Sequence, residues 1–483
     1  MTGTASIIGA VALCTVVGCG SRAGAPDTTP ATLRVGYSTV VSGSAQAGVR
    51  QIARNQSLEG LINFGSDGRP ALWLAESVSR SDDGLTSRIT LPPAHFHDGT
   101  SMTSAMVRDI LLRGLPSMLG PAYQDIREIA TPSPREIEFR LNRPSAFLLE
   151  GLDVLIERPG QEGVGTGPYR LSTAAAGELE LEAYSAYRLG APPIDRIVFK
   201  PYDSVRAAWA DLLRDQVDAL YEVGVDALDS LRSSQQVKVF SYRRHYAQLV
   251  MLNLSRPVFQ DAGLRRRLNS AIDRDQLVSA VLSGNGAPAR GPVWPDHWAH
   301  GPGLNGFQYQ PVAAREGDTR VRFVCLVLDA TNERVALAVQ RQLQAIGVEM
   351  ALEALPQSET LARLQSGDFD AVLGDFVQGP NLVRPYLFWH SKGPFNYGRY
   401  GSAAVDAALD EVRHAVDDDA YRAGVMNFQQ AIFDDPPAIF LVWGDRARAV
   451  SARFDVQTDS KRDVWTSLRL WRPADATRVV TRH

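Results

Sequence analysis

The chain has 483 residues, which is too long for one ordinary hydrophobic core, so two or three domains are expected. Apolar residues make up 45% and charged residues 22%, the proportions of a soluble globular protein. The formal net charge is −4 and no basic run is present, which argues against a nucleic-acid partner.

The N-terminus carries an apolar run, Ile7–Val17, which has the length of a signal-peptide core and is too short to span a bilayer. The letters VVGC that end at Cys19 resemble a bacterial lipobox, in which the cysteine is lipidated and becomes the first mature residue. We therefore expect a lipoprotein signal peptide over residues 1–19 and a flexible tether over residues 20–32. Met1–Ser6 lacks the usual Lys or Arg, so either the true start lies upstream or the signal is atypical. An ordinary secretory signal with an accidental cysteine is the alternative.

Cysteine usage gives no reason to expect a disulfide or a nucleophile. Cys14 lies in the predicted signal and Cys19 is the predicted lipid site, so Cys325 has no partner in the mature chain. Cys325 stands in an apolar run without a Cys/His catalytic pattern around it. It is predicted to be a small core residue.

The first elements are a strand over Leu33–Tyr37, a small-residue loop over Ser38–Gly48 and a helix over Val49–Leu61. The stretch Asp82–Val107 then reads as a strand, a tight turn and a helix start, since apolar and polar residues alternate before HDGT. Within that turn Gly99 can adopt positive φ, and Thr103 can cap the following helix.

Further elements follow in chain order. Strands are predicted at Glu136–Leu141, Glu178–Tyr184 and Arg196–Pro201, and a helix at Ala207–Asp215. The glycine-rich run GVGTG that begins at Gly163 is not a nucleotide loop, because Pro168 follows at once and no helix begins there. We interpret its glycines as permitting a tight chain crossing.

A new unit begins near Gln248–Asn253, and Leu264–Val281 is predicted to form two helical pieces, the second capped by Asp273. Val321–Phe376 contains three apolar strands alternating with two helices, which predicts a parallel sheet with right-handed crossovers. Two helices and a further apolar run are expected within Asp406–Val442.

Four of these segments occur in an order that resembles extracellular solute-binding proteins of family 5, the dipeptide, oligopeptide and nickel receptors of ABC importers. They are Asp82–Val107, Gly163–Leu171, the segment LNLSRPVFQDAGLRRRLNSAIDRDQLV that starts at Leu252, and SGDFDAVLGDF. The resemblance runs from about Leu33 to Val450.

The resemblance implies an α/β fold of two lobes, the type II, large class of periplasmic-binding-protein-like fold, with a hinge between the lobes. We expect lobe I over residues 33–247, lobe II over residues 248–442 and a return to lobe I over residues 443–483. The first lobe would carry a reduced extra subdomain. The hinge is expected near Tyr246–Met251 and Phe440–Gly444.

The same resemblance implies a function. The chain would be a lipid-anchored, monomeric substrate-binding protein on the extracytoplasmic face of the cell envelope, periplasmic where that compartment exists. It would bind short peptides between its lobes, close, and deliver them to an ABC permease and ATPase, without a cofactor. A receptor for another solute, such as a nickel chelate or a sugar, and a non-transport lipoprotein with a regulatory role remain alternatives. An enzyme is disfavoured, because no nucleophile–base or metal pattern is found.

Asp375 is the leading candidate for ligand binding. It is predicted to follow the third strand of the parallel unit, and ligands in such sheets bind outside the carboxyl ends of the strands. In peptide-binding relatives an Asp at this point pairs with the α-ammonium of the ligand, and a charge-assisted hydrogen bond would repay its burial. A solvated loop carboxylate is the alternative interpretation.

Other candidates are loop residues that would face the cleft in this fold class. Aromatic side chains there can cover a ligand, and arginine can hold a carboxylate. These candidates are Trp294, Arg384, Trp389, Asn396, Tyr397 and Arg399, with Ser38 and Thr39 after the first strand. Each could instead be a packing or surface residue. His95 and His97 lack further ligands at metal-binding spacing, and Asp417 is predicted to cap a helix.

Overall fold

The computed structural model describes residues 30–39, 43–173, 178–301, 306–313, 320–328, 332–458 and 461–474. The predictions of a signal peptide and of lipidation at Cys19 lie outside the described residues. The described strands are β1 (Thr32–Ser38), β2 (Ile62–Phe64), β3 (Pro70–Leu72), β4 (Ser77–Arg80), β5 (Thr86–Thr90), β6 (Ile126–Ser133), β7 (Glu136–Leu141), β8 (Tyr169–Thr173), β9 (Leu179–Ala183), β10 (Arg196–Tyr202), β11 (Ala219–Leu220), β12 (Val237–Leu252), β13 (Gly286–Pro288), β14 (Val321–Val327), β15 (Val348–Ala354), β16 (Ala371–Val377), β17 (Ala438–Ser451), β18 (Phe454–Asp455) and β19 (Arg472–Pro473).

The described helices are α1 (Gly43–Ser57), α2 (Ser104–Leu119), α3 (Phe147–Glu150), α4 (Val205–Leu213), α5 (Val225–Arg232), α6 (Ala262–Ser270), α7 (Arg274–Gln276), α8 (Glu333–Ala345), α9 (Gln357–Ser366), α10 (Val383–Trp389), α11 (Ala403–Arg413) and α12 (Asp418–Asp434). Short 3-10 helices cover Gly120–Asp125, Pro257–Phe259 and Val464–Leu470, and a π-helical turn, Leu277–Val281, continues α7. Within the described ranges, every helix is too short or too polar to cross a bilayer.

Two long antiparallel strands, β12 and β17, run through the middle of the main sheet. The strand order is β15-β14-β16-β12-β17-β11-β1-β10-β9-β8, with β13 also paired to β17. The second half of β12 pairs with β16, whereas the end of β17 pairs with β11. The two long strands therefore connect two groups of strands, as expected of the links between the lobes of a two-lobe fold.

The ladder between β12 and β17 is interrupted where the chain passes between those groups. Its register shifts between Arg243 and Ala247 and again between Gln248 and Leu249. Such bulges bend a strand and redirect its side chains. The interruption lies beside the hinge segments predicted at Tyr246–Met251 and Phe440–Gly444.

The parallel unit predicted from Val321 onward is confirmed. β14 pairs in parallel with both β15 and β16, and α8 and α9 form the connections. Gly347 follows α8 and Gly367 follows α9, both with positive φ, which lets the chain reverse without strain from a Cβ atom. Cys325 is fully buried in this unit, as predicted for a core residue, and burial raises the pKa of its thiol to about 12.

A separate four-stranded antiparallel sheet, β4-β5-β7-β6, forms the extra subdomain together with α2. Thr103 caps α2 as predicted, since its Oγ1 accepts a hydrogen bond of 3.4 Å from the Met106 N–H. Ile89, Val107 and Leu111 are buried together in its core. This hydrophobic core is continuous with side chains of β16, α10 and α12, so the subdomain packs against residues of the second half of the chain.

Two of the boundaries that differ from the sequence prediction bear on the site described below. The first helix begins at Gly43 and ends at Ser57, so the small residues predicted as a loop already belong to α1. The third strand of the parallel unit extends to Val377, which places Asp375 inside β16 rather than after it. The antiparallel partner β12 explains the extension, because its pairing with β16 continues from Leu252↔Ala371 to Tyr246↔Val377.

Candidate functional site

A cleft of about 820 Å³ opens where the ladder between β12 and β17 is interrupted. Its wall combines α1, the loop after β2, β12, β16, β17 and the segment that leads into the last 3-10 helix. The wall residues used below are Asn55, Tyr221, Glu222, Tyr242, Arg243, Arg244, His245, Tyr246, Trp294, Asp375, Arg446, Arg448, Lys461, Arg462 and Asp463. The cleft is large enough for a small organic ligand.

Asp375 lies in this wall and has an ion-pair partner within the protein. The Arg244 guanidinium donates a hydrogen bond of 2.8 Å to Asp375 Oδ2. Arg244 also stacks on the Tyr246 ring, with its guanidinium carbon 4.1 Å from the ring centroid. Both members of the pair keep about a quarter of their side-chain surface exposed, at 24% and 28%. The pair is therefore accessible to a ligand.

Trp294 also lies in the cleft wall, although only 1% of its surface is exposed. Its ring meets the His245 ring edge to face, with 4.6 Å between the centroids. The indole N–H is buried and has no hydrogen-bond acceptor among the described residues. Burial, and then the positive charge of Arg462, lower the pKa of His245 to about 4, so this histidine is neutral at pH 7.

Arg448 organises the opposite side of the cleft. Its guanidinium makes two hydrogen bonds to the Asp463 carboxylate, at 3.1 and 2.7 Å, and donates to the Tyr221 carbonyl. It also donates a bond of 2.7 Å to the Tyr242 hydroxyl. Burial is the main reason why the pKa of Tyr242 is raised, so its hydroxyl stays protonated and can accept this bond. This arrangement fixes the positions of the two tyrosines.

The arginines of β12 and β17 were not identified from the sequence. Arg243 and Arg244 lie on β12, and Arg446 and Arg448 lie on β17, on either side of the interrupted ladder. The signal that could have found them is the pair of charged runs YRRHY and GDRAR, each of which adjoins a predicted hinge segment.

The other predicted site residues of the second half lie outside the wall of this cleft, among the described residues. Trp389 is buried in the core and donates a hydrogen bond of 2.7 Å to Gln378 Oε1. Arg384, on α10, contacts Met118 Sδ at 3.4 Å. Arg384 thus contacts α2 of the extra subdomain, whereas Trp389 packs against Phe440 of β17. A ligand contact for either one stays a prediction.

A loop held by contacts among its own residues contains Asn396, Tyr397 and Arg399. Asn396 bonds the backbone N–H and C=O of Tyr400, at 2.9 and 2.7 Å, which stabilises the turn. Tyr397 packs on Phe395, and Arg399 is exposed with a φ of 54°. These contacts are local, and a role of the three residues in ligand binding stays untested.

Ser38 is the last residue of β1 and pairs with Tyr202 of β10, so it does not follow the strand as predicted, whereas Thr39 does. Ser38 is buried, and Thr39 donates from its N–H to the Tyr202 carbonyl at 2.9 Å. Neither residue lies in the wall of the described cleft.

At the glycine-rich run that begins at Gly163, the chain crosses close to the backbone at the end of α1. A Cβ atom on Gly165 would lie 2.2 Å from the Ser57 carbonyl oxygen, and one on Gly167 would lie 2.4 Å from the Gln56 carbonyl oxygen. His97, in the turn of the stretch Asp82–Val107, contacts the same run, with 2.9 Å between its Nε2 and the Gly167 carbonyl oxygen. The two motifs therefore form one structural crossing beside the end of α1.

The remaining polar motifs have structural contacts. Asp417 caps α12, since its carboxylate accepts a bond of 2.8 Å from the Ala420 N–H. Asp98, beside His97, forms an ion pair of 2.8 Å with Arg158. In the part of the chain that the structure describes, no group of three or more His, Cys, Asp or Glu side chains is arranged to hold a metal ion.

Two groups of strands joined by two long strands, with a cleft at the junction, define the class of two-lobe periplasmic binding proteins. Solved structures agree on this fold. The oligopeptide-binding protein AppA from Bacillus subtilis, in complex with a nonapeptide, has a TM-score of 0.75 at 21% identity and covers 92% of this chain and 100% of its own. The substrate-binding protein CtaP from Listeria monocytogenes has a TM-score of 0.78 at 18% identity, covering 92% and 100%.

The sequence comparison gives the family. The model of bacterial extracellular solute-binding proteins, family 5 (middle) matches residues 69–397, so the chain belongs to this family. The probable D,D-dipeptide-binding periplasmic protein DdpA from Escherichia coli (strain K12) is 26% identical over 426 residues, 80% of this chain and 82% of that protein. A glutathione-binding protein GsiB from Pectobacterium atrosepticum is 25% identical over 437 residues, 82% and 85% of the two chains.

Proposed function

We propose that this chain is the substrate-binding component of an ABC importer and that it binds short peptides in the cleft. The observation that carries the proposal is the position of the cleft, where the ladder between the two long strands that join the two groups of strands is interrupted. Family membership supports a binding role rather than catalysis. Peptide binding is favoured by the names of the relatives, which are a dipeptide-binding, an oligopeptide-binding and a glutathione-binding protein.

The mechanism is hinge closure about β12 and β17. Lobe I would comprise residues 33–247 and 443–483, and lobe II residues 248–442. A ligand that contacts both sides of the cleft stabilises the closed form and shifts the population toward it. An ABC permease with its ATPase would then recognise the closed form and accept the ligand.

Ligand binding would exchange the internal ion pair for two ligand contacts. The α-ammonium of a peptide pairs with Asp375, and a carboxylate of the peptide pairs with Arg244. Because both side chains are partly exposed, breaking their mutual pair costs little free energy. Trp294 lies in the wall, and its indole N–H, which has no acceptor among the described residues, would donate a hydrogen bond to the ligand.

The protein would lie on the extracytoplasmic face of the cell envelope, held there by a lipid anchor at Cys19. It would be a monomer and would need no cofactor. Labelled palmitate supplied to cells that express the full chain tests the anchor. The label should enter the wild-type protein and be lost in Cys19→Ala, while Cys14→Ala keeps it. Labelling that survives Cys19→Ala would contradict this anchor site.

A thermal-shift experiment on the purified full-length protein tests the proposed function. Pools of di- to pentapeptides, nickel chelates and sugars are compared. A ligand present at 100 times its Kd adds about 2.7 kcal/mol of stability, which is a visible increase in melting temperature. Stabilisation by peptides alone supports the proposal. No stabilisation of a cooperatively folded, ligand-free sample by any pool would favour the regulatory role instead.

A further inference from the structure

We infer that the cleft selects ligands with a net negative charge, such as short peptides with an acidic side chain. The inference rests on the proposed function, because it specifies the substrate class of the same cleft. It adds a requirement on the ligand: the number of carboxylate groups exceeds the number of ammonium groups.

The first argument is the charge of the wall. Six basic side chains line the cleft (Arg243, Arg244, Arg446, Arg448, Lys461 and Arg462) against three acidic ones (Glu222, Asp375 and Asp463). Two further carboxylates, Asp296 and Asp445, lie in an adjoining recess and pair with Arg243 at 3.7 and 3.1 Å. With these two included, the basic groups among the described residues still exceed the acidic ones, by six to five. A cleft lined by one sign of charge attracts ligands of the opposite sign.

The second argument is that each acidic side chain of the wall already has an arginine partner. Arg244 pairs with Asp375 at 2.8 Å and Arg446 pairs with Glu222 at 3.1 Å. Asp463 is held by Arg448 at 2.7 Å. A cationic ligand group must therefore displace an arginine before it can pair with a carboxylate. An anionic group can approach the guanidinium groups directly, since each guanidinium has five N–H donors.

The third argument concerns the remaining polar groups of the wall. The buried Trp294 indole N–H has no acceptor among the described residues and can only donate a hydrogen bond. His245, beside it, is neutral partly because Arg462 raises the local positive potential. Both observations favour a negatively charged or hydrogen-bond-accepting group at this position.

The test measures the Kd of three tripeptides that differ only in a central glutamate, glutamine or lysine, by calorimetry with the full-length protein. The glutamate peptide should bind at least tenfold more tightly than the glutamine peptide, and the lysine peptide should bind most weakly. The preference should decrease with added salt, since ionic strength screens charges that are partly exposed.

A matched pair of variants locates the effect. Lys461 and Lys392 are both exposed, but only Lys461 lies in the cleft wall. Lys461→Gln should reduce the preference for glutamate by about threefold, the size expected for one exposed ion pair. Lys392→Gln should leave the preference for glutamate unchanged. If both variants lost the preference equally, the cleft would not be the source of the charge selection.

The remaining outcomes separate this inference from the proposed function. Equal affinity for the three tripeptides would overturn charge selection and leave peptide binding in place. Binding of citrate, a polycarboxylate, without binding of any peptide would support charge selection and contradict peptide binding. Failure of the peptides and citrate to bind would overturn both.

Discussion

Arg244 donates a hydrogen bond of 2.8 Å to Asp375 across the antiparallel pair β12/β16, inside the cleft. The carboxylate expected to pair with a ligand ammonium is thus neutralised within the protein before a ligand binds. Arg244 lies on β12 beside the interrupted ladder, so the ion pair links a residue near the predicted hinge with Asp375 in the wall of the cleft. We propose that ligand binding and strand geometry are coupled through this ion pair.

Removal of the Asp375 carboxylate tests its role directly. Asp375→Ala should weaken the binding of peptides with free N-termini at least tenfold, about 1.4 kcal/mol, because the α-ammonium loses its partner. Calorimetry measures the change. N-acetylated peptides are the control, since they carry no ammonium and their affinity should not fall. An unchanged affinity for free peptides, in a variant with native circular dichroism, would remove Asp375 from the site.

A bulky residue on α1 should block the cleft. Asn55 is exposed and lies in the wall, whereas Gln46 is exposed on the same helix outside it. Asn55→Trp should abolish the ligand-induced increase in melting temperature while leaving the melting temperature of the free protein within a few degrees. Gln46→Trp is the matched control and should retain the increase. If Asn55→Trp responds fully to the ligand, the ligand binds elsewhere.

A buried glutamate ties the extra subdomain to the second half of the chain. Glu150, at the end of α3, accepts hydrogen bonds from the N–H groups of Leu382 and Val383, at 3.0 and 3.2 Å, and from the Tyr421 hydroxyl. Burial, reinforced by the charge of Asp153, raises the pKa of Glu150 to about 7 from an ordinary value of 4.5.

This raised pKa makes stability depend on pH. Between pH 4.5 and 7 the folded protein keeps the Glu150 proton that the unfolded chain has lost, so the stabilisation decreases as pH rises through this range. Relative to Glu150→Gln, the free energy of unfolding of the wild type should fall on the order of 3 kcal/mol from pH 4.5 to 7. Urea unfolding at several pH values measures this difference, in which the contributions of titrating groups that do not interact with Glu150 cancel. A difference that is constant with pH would contradict it.

The chain crossing at Gly165 should tolerate no side chain. Gly165→Ala places a Cβ atom against the Ser57 carbonyl and should destabilise the protein by about 1–3 kcal/mol, since backbone must move. Gly401 has open space around its Cα, so Gly401→Ala should change stability by less than about 0.5 kcal/mol. Urea denaturation of the two variants compares them. Equal stabilities would show that the crossing can relax.

The local elements were predictable because short-range chemistry determines them. The caps at Thr103, Asp273 and Asp417 follow from hydroxyl or carboxylate groups that precede apolar helices, and each accepts the expected N–H bond. The parallel unit followed from apolar runs with a glycine after each helix. Glu136–Leu141 was predicted with its observed bounds, because strict alternation precedes a turn.

The cleft was less predictable because it depends on register between distant strands. Whether Arg244 faces Asp375 depends on where the ladder between β12 and β17 is interrupted, and no local pattern specifies that position. Trp389 is an aromatic residue of the kind that lines ligand sites, but it lies in the core, where it packs against Phe440 and donates to Gln378. Of the predicted ligand contacts, Asp375 and Trp294 are the two that lie in the wall of the described cleft.

A crystal structure of the protein with the most stabilising compound of the thermal-shift pools tests the central claim most directly. The account predicts a short, net negatively charged peptide in the cleft, with its α-ammonium at Asp375, a carboxylate at Arg244 and a hydrogen-bond-accepting group beside Trp294. A ligand bound outside this cleft, or an Arg244–Asp375 pair that stays intact beside a ligand without contact to either residue, would contradict it.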